Sequence, residues 1–178
     1  VEIHAWSTAR LDAVRPTASL RGDDGVVDLD IDLVRTAQGR GEALVVEARV
    51  GSSVVELAVD PGVDRVRGSL PVPNPARWWP AGLGEQALHD LTVTLRRGDE
   101  VLDERTERIG FRDIVVEQRP DAEGVGFRVV VDGEPMFIRG FNWIPDDTSI
   151  AAVTPADYRR RIAEAQALGA NLIRVWGG

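Results

Sequence analysis

Residues 171–178 read N-L-I-R-V-W-G-G. Leu172, Ile173 and Val175 form a short apolar run, the pattern of a strand covered on both faces, as parallel strands are. Arg174 and Trp176 fall at its C-terminal end, and two glycines follow. In α/β architectures ligands meet the protein beyond the C-terminal ends of parallel strands. A functional site is therefore expected where this stretch ends. By the alternation of a strand, Arg174 is in phase with Leu172 and Trp176 and opposite to Val175.

Upstream of this run the spacing predicts a helix. Thr154 suits its N-cap and Pro155 its first position, with Asp157 placed to complete a capping box. Tyr158, Ile162 and Ala165 mark one face, with Leu168 near its edge, and Gly169 is the expected residue just past the end. Before the helix, Phe137–Phe141 leads into N-W-I-P-D-D at 142–147. Strand, helix of ~14 residues and strand make a βαβ unit, with a parallel pair joined by a right-handed crossover. One parallel pair cannot cover both of its faces, and the last strand would be left as an exposed edge. The simplest completion is a (β/α)8 barrel continuing past Gly178, a fold that takes ~250 residues.

Further upstream the period changes to two. Phe111–Gln118 reads as a strand. Phe127–Val131, Asp132-Gly133 and Met136–Arg139 read as a hairpin whose second strand starts late because of Pro135. Residues 9–108 read as an immunoglobulin-like β-sandwich. Val27, Leu29, Ile31 and Leu33 alternate with Asp28, Asp30 and Asp32. Leu44–Val50, Val55–Val59 and Leu91–Leu95 repeat the alternation between Gly- and Asp-rich turns. Residues 1–8 are the end of a preceding domain or a linker, with Val1–Ala5 a possible short strand.

Composition narrows the function. The 178 residues are 43% hydrophobic and 28% charged, which is ordinary for a globular chain. A net charge of -8 argues against nucleic acid or an anionic membrane surface as partner. No apolar run approaches the ~20 residues of a membrane helix. The chain has no cysteine, which removes thiolate chemistry and fits a cytoplasmic protein. All 21 basic residues are arginine, which with the Ala, Val, Gly and Asp content points to a GC-rich bacterial source. Trp78 and Trp79 lie side by side in a Pro- and Gly-punctuated loop. They fit either a sugar-stacking platform or a clamp that holds the loop onto a neighbouring domain, and the clamp is favoured. Asp146 and Asp147 lie beyond the first strand of the βαβ unit, but adjacent side chains diverge and neither is assigned a catalytic role.

Several of these stretches together resemble glycoside hydrolase family 2, most closely its β-mannosidase branch. They are W-W-P-A-G-L-G-E-Q at 78–86, G-F-R-D-I at 110–114, V-D-G-E-P-M-F-I-R-G at 131–140, F-N-W-I-P-D-D at 141–147 and N-L-I-R-V-W-G-G at 171–178. The β-galactosidase and β-glucuronidase branches carry His-rich segments at the last two places, whereas this chain has only His4 and His89. The resemblance implies the front and middle of a retaining exo-glycosidase that removes terminal β-D-mannose from a β-mannoside oligosaccharide or glycoside, without cofactor or metal. It implies two catalytic glutamates on later barrel strands, so none in this chain, and an inactive 178-residue piece. Residues 109–178 would be the start of a truncated TIM barrel, whose exposed strand offers a route to self-association.

The same resemblance points to Trp176, Arg174, Asn142 and Trp143 as substrate-binding residues. Trp176 either stacks on a pyranoside or plugs the top of a barrel core. Arg174, inside a barrel, needs a carboxylate partner. Asn142 either donates to a sugar hydroxyl or serves a strand-exit turn, with Trp143 beside it at the same exit. The alternatives are another family-2 glycosidase (exo-β-glucosaminidase, β-galactosidase or β-glucuronidase) or a free-standing carbohydrate-binding sandwich.

Overall fold

The alternation D-L-D-I-D-L at 28–33 can be satisfied only by a strand with one wet face and one dry face. A computed structural model, which describes residues 3 and 5–177, places it at the centre of a three-stranded antiparallel sheet. The strands are β1 (Ala9–Arg21), β2 (Asp24–Arg35), β3 (Leu44–Val50), β4 (Ser53–Val59), β5 (Arg65–Val72), β6 (His89–Arg97) and β7 (Glu100–Ile109). One sheet has the order β1-β2-β5 and the other β4-β3-β6-β7, an immunoglobulin-like sandwich with its fourth strand beside the third. Leu29, Ile31, Val46, Ala48, Val93 and Leu95 are among the side chains buried between the sheets. Phe111 closes the core, fully buried and edge-on to His89 at 5.2 Å. The short strand expected at Val1–Ala5 rests on residues 1, 2 and 4, which lie outside the described residues, as do His4 itself and Gly178.

β1, β5 and β7 go unmarked by the sequence pattern, and all three are sheet edges. β1 and β5 carry Pro16 and Pro71, and β7 reads E-V-L-D-E-R-T-E-R-I. Proline and charge on an edge keep it from pairing with other chains, and they also erase the alternation. β1 is bulged between Leu11 and Ala13. There the Leu11 N–H donates to the Asp103 carboxylate at 2.8 Å, and Arg105 donates to the Leu11 carbonyl at 2.5 Å. Side chains of β7 thus take up backbone groups of the edge strand β1 beside its bulge.

The wet face of β2 is a charge ladder. Asp30 stands opposite Arg15 and Arg67, and Asp32 opposite Arg65. Arg15 pairs with Asp32 at 2.7 Å, and Arg65 hydrogen-bonds Asp30. At one end of the sandwich lies a group that sequence reading passes over. The Arg35 side chain is 1% exposed. It donates to the carbonyls of Gly39 (3.0 Å), Glu42 (2.7 Å), Asp60 (3.2 Å) and Val63 (3.1 Å). One guanidinium thereby satisfies two separate turns.

The chain packs as two units. The first runs to Arg77 and resumes over Ala87–Phe111, while the second takes Trp78–Gln86 and everything from Arg112 on. In the second unit, β8 (Ile114–Glu117), β9 (Arg128–Val131) and β10 (Glu134–Met136) form an antiparallel sheet of order β10-β9-β8. Asp132 and Gly133 have φ of 49° and 84°, as the expected two-residue turn requires. The second hairpin strand, however, occupies Glu134–Met136 rather than Met136–Arg139. Pro135 stands opposite Val130 in an edge strand, where a missing N–H can face outward at no cost to the ladder.

β11 (Gly140–Trp143), α1 (Pro155–Ala167) and β12 (Leu172–Val175) form the βαβ unit, with β11 and β12 parallel. Thr154 caps α1 by accepting from the Asp157 N–H, and the Asp157 carboxylate accepts from the Thr154 N–H, the reciprocal pair of a capping box. Gly169 and Ala170 donate to the carbonyls of Gln166 and Ala165, which makes the C-terminal cap a Schellman motif. The apolar face of α1 is less covered than its spacing predicts. Tyr158 is 41% exposed and Ile162 51%.

Two consequences are measurable. Arg35→Ala removes four hydrogen bonds to turn carbonyls and is expected to destabilise the sandwich by about 3 kcal/mol, read as a lower midpoint in urea. The hydrogen bond from Arg65 holds the Asp30 carboxyl down to about 2 against an ordinary value of 3.8. A depressed carboxylate stabilises the fold fully above its unfolded value and loses that contribution as pH falls through the folded one. Arg65→Ala should therefore lower the urea midpoint most above about pH 4, with the difference from the parent shrinking as pH falls toward 2.

Candidate functional site

A short parallel strand delivers its last side chains to the same end as its neighbour's, so β11 and β12 bring their C-terminal residues together. The register sets Asn142 opposite Arg174 and Trp143 opposite Val175. Arg174 donates to the Asn142 amide oxygen at 3.4 Å. The pairing continues past the strand, where the Trp176 N–H donates to the Trp143 carbonyl at 3.1 Å. All four residues anticipated from sequence thus lie within one strand end.

They divide between two faces. Asn142 and Arg174 form an exposed polar pair. The Trp143 ring turns toward α1 and lies 5.8 Å from the Tyr158 ring, tilted by 30°. Trp143, Tyr158, Ile173, Val175 and Trp176 line a cavity of about 510 Å³, closed further by Pro145, Ile150 and Ile162. Its wall is aromatic and aliphatic, and Trp176 stands at its border 47% exposed. Such a wall is an apolar packing surface with Trp176 at its rim, while on the other face the Asn142–Arg174 pair can bind hydroxyls or a carboxylate. Among the described residues no carboxylate pairs with Arg174; it donates instead to an amide.

The two aspartates after β11 are occupied in shaping the loop. Arg161 of α1 donates to Asp146 at 2.9 Å and to Glu164 at 3.1 Å. The Asp146 bond, then the Glu164 bond, holds the Arg161 guanidinium above its ordinary range. Asp147 accepts from the Ser149 N–H at 2.7 Å, a local turn bond. Arg161 is the member that sequence reading missed. It lies outside the apolar stripe of the helix, and periodicity does not report on ion pairs.

The tryptophan loop behaves as a clamp. Trp78 and Gln86 form a bridge, and the Trp79 N–H donates to the Glu85 carbonyl at 2.8 Å. The Arg112 guanidinium lies 4.7 Å over the Trp78 ring. Trp78 also lines a cavity with Ile162, Ala165 and Leu172. Both rings are half-buried. Among the described residues, no three His, Cys, Asp or Glu side chains converge as metal ligands, and no helix is long and apolar enough to cross a membrane.

Comparison with known proteins sets this geometry in context. The model of glycosyl hydrolases family 2 matches residues 9–112. "Beta-mannosidase B" of Aspergillus niger is 28% identical over 176 residues, which is 97% of this chain and 20% of that protein. "Beta-mannosidase B" of Emericella nidulans is 39% identical over 108 residues, covering 60% of this chain and 13% of the relative. Among solved structures, the β-D-mannosidase from Dictyoglomus thermophilum superimposes with a TM-score of 0.83 at 30% identity, over 98% of this chain and 22% of that one. The exo-chitosanase from Amycolatopsis orientalis reaches 0.77 at 22% identity, which is a likeness of fold alone. The chain spans about a fifth or less of the curated relatives it matches.

Proposed function

The chain belongs to glycosyl hydrolases family 2, and from that premise we propose that it is the sandwich and the opening βαβ unit of a retaining exo-β-mannosidase. The observation that carries the substrate is the likeness, across nearly the whole chain, to a solved β-D-mannosidase. The parallel β11–β12 pair, with its capped crossover helix, supports the further reading that residues 109–178 open a (β/α)8 barrel, and the part-exposed face of α1 is where later elements would pack.

Retention in this chemistry needs two carboxyl groups about 5–5.5 Å apart, one an acid/base and the other a nucleophile. Asp146 and Asp147 are engaged with Arg161 and the Ser149 N–H, so the proposal assigns the pair to glutamates on later strands. The share of the reaction carried by this chain is substrate binding. Trp176 offers an aromatic face to the sugar ring. Arg174 and Asn142 present a guanidinium and an amide to its hydroxyls, or to a catalytic glutamate that the guanidinium would hold ionised. Trp143 acts from behind, as the packed support of the strand end against Tyr158.

The test is a panel of p-nitrophenyl β-glycosides offered to the 178-residue chain and to the longer enzyme. The longer enzyme is expected to prefer the mannoside and to retain the anomeric configuration. In it, Arg174→Ala should lower kcat/KM by about 10- to 100-fold, the range of a charge-assisted hydrogen bond. Preference for glucosaminide, galactoside or glucuronide, or inversion at the anomeric carbon, would overturn the substrate reading. Turnover by the 178-residue chain alone would overturn its assignment as a non-catalytic part.

A further inference from the structure

β12 is only four residues long, with Leu172 and Arg174 on one face and Ile173 and Val175 on the other. Such a strand specifies its own register poorly. A slip of one residue would exchange Arg174 for an aliphatic side chain, and a slip of two would keep the faces but separate Arg174 from Asn142. Something outside the strand must choose.

We infer that Asn171 sets the register in which β12 joins β11, and so acts as the positioning residue of the Asn142–Arg174 pair. Its amide oxygen accepts from the Arg139 N–H at 2.9 Å, and its amide nitrogen donates to the Phe137 carbonyl at 2.9 Å. These two bonds imitate a rung of sheet pairing with the segment that leads into β11. The main chain of Asn171 adds to them, its N–H donating to the Arg139 carbonyl at 2.8 Å. The side chain and the backbone of one residue thus grip Phe137 and Arg139 immediately before the first strand begins.

Both partners of the grip are prepared. The Schellman motif at Gln166 and Ala165 ends α1 at a fixed point and delivers Asn171 after a three-residue connection. Gly140, the residue opposite Leu172, has no Cβ, and one placed there would collide with the Leu172 carbonyl. The strands approach closely only where glycine stands, which removes alternatives with a larger residue at that position. Asn171 supplies the positive choice. An asparagine fits because the task needs one donor and one acceptor on a short stem; aspartate has no donor and serine cannot span both partners.

The inference goes beyond the glycosidase reading and does not depend on it, since the test is structural. The chain contains no cysteine, so an introduced pair reacts only with itself. Directly opposed strand residues fall within the roughly 4.4–6.8 Å Cα separation that a disulfide accepts. The double variant Asn142→Cys/Arg174→Cys reports the observed register, and Asn142→Cys/Leu172→Cys reports a slip of two. With Asn171 intact, oxidation should close the first pair and leave the second largely open. Adding Asn171→Ala should lower the ratio of first to second by about tenfold, for the loss of two hydrogen bonds. Asn171→Asp keeps the acceptor for Arg139 and should lower the ratio less. An unchanged ratio in either variant overturns the inference. So does an Asn171→Asp chain that loses its near-UV circular dichroism, because the residue would then hold general stability rather than register.

Discussion

Two four-residue strands running the same way are the constraint on which the site depends. Parallel neighbours cannot be joined by a tight turn, so the chain must leave the end of β11, cross over as a helix and return to the start of β12. That requirement accounts for the local chemistry between Asp146 and Asn171. Thr154 and Asp157 start the helix where the loop after Trp143 can reach it. Arg161 ties the loop back to the helix through Asp146. The glycine-ended cap turns the chain toward Arg139. Each device is small, but together they leave one place for Asn142 and Arg174 to meet.

The sandwich shows the opposite economy. Its central strands, β2, β3 and β6, carry their instructions in plain alternation, because a residue between two sheets must be apolar and the next one need not be. The edges answer to a different pressure. Pro16, Pro71 and the charges of β7 are there to discourage further pairing, so they read as loop until the topology is known. Arg35 is hidden for another reason. Nothing in D-L-V-R-T distinguishes a solvated arginine from one that serves four carbonyls, because its partners lie in turns up to 28 residues away.

Legibility at the site follows the same division. Helix limits and capping box were readable, since each is encoded within a few residues of where it acts, and the parallel pairing followed from the strands that flank the helix. The side of the strand that Trp143 would face was less so, because G-F-N-W at 140–143 is too short to establish an alternation. Among the described residues Arg174 meets an amide, Asn142. The carboxylate expected beside it belongs, in the proposed reading, to a catalytic glutamate on a later strand. Asn171 escaped notice because a residue just before a strand belongs to no periodic pattern.

The tryptophan loop has a consequence in time. Trp78 and Trp79 are encoded between β5 and β6, yet the cavity that Trp78 lines is built from α1 and β12. Ile173, one of its walls, is about 95 residues further along the chain. A ribosome adding about 5–20 residues per second takes roughly 5–20 s to reach it. All seven strands of the sandwich are complete by Ile109. Between the completion of β7 and the emergence of β12, Trp78 lacks the part of its cavity that α1 and β12 build. In that window an indole face is open to a chaperone.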